Sequence, residues 1–167
     1  AQSLNFFTPA FFGDVGKNGW ISLVPQSWDS NIMLWSNSVL KGSNPWFDGI
    51  SGVPMQLDTW THVAFSVSNG FVRIYIDGEL AGEANGLPDM FTDYEGVFTL
   101  GVNPFDVPFN GMIDEVKLYD TALTAGEIKN LDVTPLSTAE LLASAAELLD
   151  LGDTTAVIAD LPMRPSG

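Results

Sequence analysis

Apolar and polar residues alternate along much of this chain with a period of two, the spacing of half-buried β-strands and not the 3.6 of helices. The clearest stretch is WTHVAFSV, residues 60–67. Thr61, Val63, Phe65 and Val67 share one face; Trp60, His62, Ala64 and Ser66 share the other. The turn SNG (68–70) supplies residues tolerant of positive φ, and FVRIYIDGE (71–79) follows. There Val72, Ile74 and Ile76 point one way, with Phe71, Arg73 and Tyr75 opposite. Both faces are partly apolar. This predicts a sheet packed on one side and covered or functional on the other.

WISLV (20–24), IMLW (32–35), VFTLGV (97–102) and MIDEVKLY (112–119) read as further strands. SNSVLKGSNPWFDG (36–49) reads as a strand end and an exposed loop, and residues 84–96 as a loop. NPFDVPFNG (103–111) is too rich in Pro and Asn for a central strand. Short strands separated by turns, without alternating long helices, predict an all-β, antiparallel two-sheet sandwich. Its inner faces would lie about 10 Å apart.

Two helices interrupt this pattern. In LTAGEIKNL (123–131), Thr124 with Glu127 three residues on forms a capping box. STAELLASAAELLDLGD (137–153) has a second one, Ser137 with Glu140, and a stripe of Leu141, Leu142, Ala145, Leu148 and Leu149. VTP (133–135) reads as a hinge. Residues 1–131 are thus expected to form one sandwich domain, and residues 132–167 a linker, an amphipathic helix and the start of a further module.

The 167 residues suffice for one domain with a core, and a 46% hydrophobic, 11% aromatic composition argues against disorder throughout. Six Lys and Arg face 21 Asp and Glu, a formal charge of -15. That field repels phosphate backbones and anionic membrane surfaces, so nucleic acid and membrane are not expected partners. Neutral sugars, cations and proteins remain. There is no cysteine, which excludes disulfides and thiolate chemistry without fixing a compartment. No apolar run is long enough to span a bilayer, and Ala1 opens no signal-peptide pattern.

Sugar rings present C–H faces that stack on flat aromatics, while their hydroxyls need Asp, Asn, Gln or Arg. Trp20, Trp28, Trp35 and Trp46 sit among Asn31, Asn37, Asn44 and Asp48. Trp28 and Trp46 fall in loops, where burial is least automatic; Trp60 reads as a packing residue. Phe105 and Phe109 flank Asp106 in the Pro-rich loop, and Arg73 on its outer strand is a candidate hydroxyl partner. The expected carbohydrate contacts are Trp28, Trp35, Trp46, Asp48, Arg73 and Asp106. Most acids sit in turns, and no Ser-His-Asp pattern is present. His62, the one histidine, reads as a packed residue, and with one histidine and no cysteine a zinc site is not expected.

WTHVAFSV–FVRIYIDGELAG and GMIDEVKLYDTALTAGEIKNL resemble a laminin G-like domain of the concanavalin A-like jelly-roll class. The second stretch is the more specific: Gly111, Ile113 and Asp114, the strand to Tyr119, then Leu123, Glu127, Ile128 and Leu131. The resemblance implies a jelly-roll fold and a non-catalytic carbohydrate-binding module of a secreted bacterial polysaccharide-degrading enzyme. Its partner would be a plant or microbial polysaccharide, and its location extracellular or the bacterial cell surface. It also implies a structural calcium ion, with Asp114 as a ligand, since calcium takes six to eight oxygens. Two other readings stand beside it: a docking domain packed on a catalytic domain or second chain, and a glycoside hydrolase fragment. The strand carboxylate Glu115, beside Lys117, is the candidate for the last, but the E-x-D-x-x-E run of related glucanases is missing. The family's opening strands have no counterpart in this sequence, so the N-terminal remainder of the same polypeptide, as a separate chain, is an expected partner. The stretch 137–162 resembles the opening of an atrophied bacterial immunoglobulin-like repeat.

Overall fold

A computed structural model describes residues 10–14, 19–89 and 96–131. The predicted helix at 137–153 and the further module lie outside these residues. Among the described residues, eight strands are arranged in two antiparallel sheets. The larger is built from β1 (Ala10–Asp14), β2 (Gly19–Val24), β3 (Met33–Ser38), β4 (Trp46–Ile50) and β8 (Val97–Leu100), in the order β4-β3-β2-β1-β8. The smaller holds β5 (Val63–Ser68), β6 (Phe71–Ile76) and β7 (Glu79–Asn85), in the order β5-β6-β7. The antiparallel sandwich is therefore observed, and so is the sequence-predicted helix, α1 (Ala125–Lys129). Its N-cap Thr124 and Glu127 form both halves of the capping box.

The alternation predicted for residues 60–76 sets the core. Val72, Ile74 and Ile76 of β6 are buried against Ile21 and Leu23 of β2, Leu34 of β3 and Phe47 of β4. Val63, Phe65 and Val67 of β5 pack onto the same cluster. Two-residue turns join β5 to β6 and β6 to β7. Asn69 and Gly70 have φ of 50° and 75°, and Asp77 and Gly78 have 50° and 78°. Both positive values at the two central positions suit the right-handed twist of the hairpin strands. The sheets meet along β4 and β7. There a Cβ on Gly82 would stand 2.6 Å from the Ile50 carbonyl oxygen, so only glycine permits this approach.

Four segments differ from the sequence reading. β1 and most of β7 form where no element was expected, the end of β7 enters the loop expected at 84–96, and WFDGI is a strand, not a loop. Conversely, MIDEVKLY (112–119) forms no strand among the described residues. Glu115 takes a φ of 51°, outside the β region, and no described residue forms a ladder with this segment. Its apolar pattern is that of a strand, but a strand exists only with a hydrogen-bonding neighbour. Among the described residues no helix is long and apolar enough to cross a membrane.

Candidate functional site

Because Ile21, Leu34 and Phe47 face the core, their neighbours in sequence must face outward. Trp20 and Ser22 on β2, Trp35 and Asn37 on β3, and Trp46 and Asp48 on β4 therefore share the outer face of the larger sheet. The register aligns them in two rows. Trp20 pairs with Asn37, which pairs with Trp46; Ser22 pairs with Trp35, which pairs with Asp48. Trp35 is thus diagonal to both other tryptophans, within reach of large rings. Its ring stacks on that of Trp46 at 5.1 Å and 13°. It meets Trp20 edge-on at 5.0 Å and 79°. Trp20 is buried, Trp35 half-buried and Trp46 exposed, so the rings rise from floor to rim across the face.

Gly13 on β1 pairs with Trp20 from the other side. Its φ is 139°, and a Cβ there would lie 2.5 Å from the Trp20 Cα. Glycine is what lets β1 pass the Trp20 backbone.

Two loops add a ring each. Trp28, in the turn after β2, stands edge-on to Trp35 at 6.0 Å and 78°. The turn is closed by Ser27 N–H to the Asn31 carbonyl at 2.9 Å and Ser30 N–H to the Ser27 carbonyl at 2.9 Å. Inside it, Asp29 accepts from the Ser27 hydroxyl and from Asn31 N–H. These bonds, the Ser27 hydroxyl first, hold the Asp29 carboxyl below the usual aspartate range. On the other side Phe105 tilts against Trp20 at 5.4 Å and 49°. It is presented by an Asx turn: Asn103 Oδ1 accepts from Phe105 N–H at 2.9 Å and Asp106 N–H at 2.7 Å. Asn103 Nδ2 then donates to Asp106 Oδ2 at 2.7 Å.

The predicted contacts therefore divide. Trp28, Trp35, Trp46 and Asp48 come together on one face. Asp106 lies next to Phe105 and is engaged in shaping its loop. Arg73 is not brought to them. It stands on the outer face of the smaller sheet, across the strands from Glu83, to which its Nε donates at 3.1 Å, and 4.8 Å from the Phe71 ring centroid. The sequence reading omits Trp20 and leaves Phe105 as a rim contact or loop anchor. The signal for Trp20 was its place in WISLV, one position from a core-facing isoleucine.

The other named residues lie elsewhere. His62 is half-buried, and burial is the main cause holding its pKa below the usual histidine value; Lys117 adds to this and Asp77 opposes it. Its Nδ1 is buried with no hydrogen-bond partner among the described residues. Glu115 is exposed and ion-paired with Lys117. Asp114 accepts from the Glu115 N–H at 2.6 Å. Among the described residues no three His, Cys, Asp or Glu side chains gather to hold a metal, so these residues do not by themselves assemble the expected calcium shell.

The model of the concanavalin A-like lectin/glucanases superfamily matches residues 2–129. No curated protein sequence matches the chain. Among solved structures, domain 4 of AbnA, a GH43 extracellular arabinanase from Geobacillus stearothermophilus, in complex with arabinotriose, is similar with a TM-score of 0.69 and 45% identity. The match covers 78% of this chain and 61% of that one, so the chain spans less than two thirds of that domain. An S-layer domain-containing protein from Clostridium thermocellum matches with a TM-score of 0.42 and 26% identity, over 80% of this chain and 65% of that one.

Proposed function

The chain belongs to the concanavalin A-like lectin/glucanases superfamily, and from that premise we propose that it is a non-catalytic carbohydrate-binding domain of an extracellular polysaccharide-degrading enzyme. Its ligand is an arabinose-containing oligosaccharide held on the outer face of the larger sheet. The observation that carries this reading is the aromatic face itself: Trp20, Trp35 and Trp46 on three adjacent strands, with Trp28 and Phe105 closing on them from two loops. A flat, partly exposed indole offers the surface on which the C–H face of a sugar ring packs. Asp48 and Asn37, on the same strand face, supply acceptors and a donor for hydroxyls. The 45% identical arabinanase domain, which holds arabinotriose, supports the choice of sugar and of compartment.

Hydrolysis would require a second carboxylate opposite the first across the scissile bond. Of the acids considered for catalysis or binding, Asp48 lies among the rings, Asp106 is committed to its loop, and Glu115 is paired with Lys117. This arrangement supports binding over cleavage.

Affinity electrophoresis on gels containing arabinan, arabinoxylan, xylan, β-glucan, fructan or galactan tests the proposal. Retardation on arabinan, abolished in Trp46→Ala, is the expected result. A folded sample that no polymer retards would overturn it. Parallel gels with calcium and with a chelator read any calcium requirement, including one through Asp114.

A further inference from the structure

Trp46 is the most exposed of the three tryptophans on the larger sheet, and it stands on β4, the outermost strand among the described residues. The ladder shows which way its peptide groups point. The Ser38 N–H donates to the Pro45 carbonyl at 2.9 Å, and at the far end the Ser51 N–H donates to the Ile32 carbonyl at 2.9 Å. Bonded and non-bonded pairs alternate along an antiparallel ladder. Counted from either end, Ser36 bonds to Phe47 and Leu34 to Gly49, while Asn37 with Trp46 and Trp35 with Asp48 are the pairs between. The N–H and C=O of Trp46 therefore point away from β3, along the outer edge of the sheet. Such an edge leaves backbone donors and acceptors without a strand partner.

Two side chains of the β3–β4 loop take the place of that partner. Asn44 Oδ1 accepts from the Trp46 N–H at 3.3 Å, and Lys41 Nζ donates to the Trp46 carbonyl. The loop is wound to deliver them. Val39–Lys41 form a single 3-10 turn, with the Ser38 hydroxyl accepting from the Leu40 N–H at 3.1 Å. Gly42 then takes a φ of 78° and returns its N–H to the Val39 carbonyl at 3.2 Å. This reverses the chain and leaves Lys41 half-buried beside the strand it precedes. Arg73, Lys117 and Lys129 each meet a carboxylate. Lys41 instead meets a backbone carbonyl, in a chain where 21 acids face six bases. A charge-assisted bond of this kind is stronger than one between neutral groups.

We infer that Lys41 is a positioning residue of the sugar site, with Asn44 as its counterpart. Together they fix the Trp46 peptide on the edge strand, and so hold the exposed indole, stacked on Trp35, in the pose that a sugar ring meets. The inference rests on the reading of this face as the sugar site and adds what keeps its outermost ring in place. A ring already held in its bound pose loses less freedom when the ligand arrives, and the difference appears as affinity. Lys41 needs no contact with the sugar for this.

The test compares the wild-type chain with Lys41→Met, Lys41→Arg and Asn44→Ala, labelled with nitrogen-15, first without sugar and then titrated with arabinotriose. Methionine keeps an apolar stem like that of lysine and removes the donor. Without sugar, Lys41→Met is expected to shift and broaden the Trp46 indole N–H resonance and to speed exchange of the Trp46 amide, with the Trp60 resonance unmoved. With arabinotriose, its affinity falls about five-fold. Lys41→Arg, which keeps a charged donor, restores both readouts. Asn44→Ala acts in the same direction and carries the test if Lys41→Met does not fold. Trp46 signals that match wild type in Lys41→Met overturn the inference even where affinity falls, because the lysine then touches the sugar itself. Wild-type binding that is equally strong in Lys41→Met also overturns it, and leaves the sugar reading standing. A wild-type chain that binds no arabinotriose overturns the sugar reading, and the inference with it, whichever residue stands at position 41.

Discussion

Each sheet carries aromatic residues on its outer face, and the two faces meet opposite fates. On the smaller sheet Tyr75 points outward from β6 yet is 2% exposed. The chain after β8 returns over that side: the Ser66 hydroxyl donates to the Leu123 carbonyl at 2.8 Å, α1 lies against β7, and Ile128 is buried. On the larger sheet the rings of Trp20, Trp35 and Trp46 are bordered by Trp28 and Phe105 but not sealed, and Trp46 stays exposed. An aromatic face that the chain covers contributes to folding. One that it borders and leaves open contributes surface for a ligand.

Substitutions should separate the two roles. The largest effect is expected for Tyr75→Ala, which empties a fully buried position and lowers stability by about 3 kcal/mol in urea melts. The molecules that remain folded keep their affinity for sugar. A stability near that of wild type would mean that the face is not sealed. Next, Trp46→Ala should weaken sugar binding at least ten-fold, about 1.4 kcal/mol. Its urea midpoint should shift far less than that of Tyr75→Ala, since the ring is exposed. An equal loss of stability in both variants would erase the distinction.

A smaller effect is expected at the cap of α1. Thr124→Ala should cost about 1 kcal/mol, read by thermal melts, with no change in binding. The cap also carries a pH signature. Glu127 accepts from the Thr124 N–H and hydroxyl, which hold its carboxyl below the usual glutamate range. A depressed folded pKa means that the unfolded chain takes up the proton first as pH falls. The contribution is therefore complete above about pH 4.3, the ordinary glutamate value, and is lost as pH drops through the folded value. Glu127→Gln should flatten that part of the acid limb; an unchanged limb would show that the cap does not titrate. The smallest effect belongs to Arg73→Ala. Its ion pair with Glu83 is exposed on both sides, so stability should move by about 0.5 kcal/mol or less. Gel retardation should not move at all, because Arg73 lies on the other sheet.

The sandwich was legible where one strand face is apolar and the turn chemistry is explicit, as in residues 60–79 with their Asn-Gly and Asp-Gly turns. It was not legible at β1 and β7, where AFFGD and ELAGEAN mix small, charged and apolar residues without clear alternation. Pairing with better-defined neighbours makes those strands. MIDEVKLY shows the converse, a strong pattern with no described partner. In the site, residue type pointed to Trp28, Trp35, Trp46 and Asp48, but only register shows that they share a face. The same register sends Arg73 to the opposite side of the molecule. Trp20 was obscured because a buried indole and a binding-site floor look alike in sequence.

The tryptophans also provide the most direct test. The chain has five: four gather on the larger sheet, and Trp60 precedes β5 on the smaller one. With the indoles labelled with nitrogen-15, arabinotriose is titrated while each N–H resonance is followed. Saturable shifts of Trp35 and Trp46 are expected, with Trp28 following and Trp60 stationary. Resonances that all stay in place, or a response confined to Trp60, would contradict the claim that this aromatic face is the binding site.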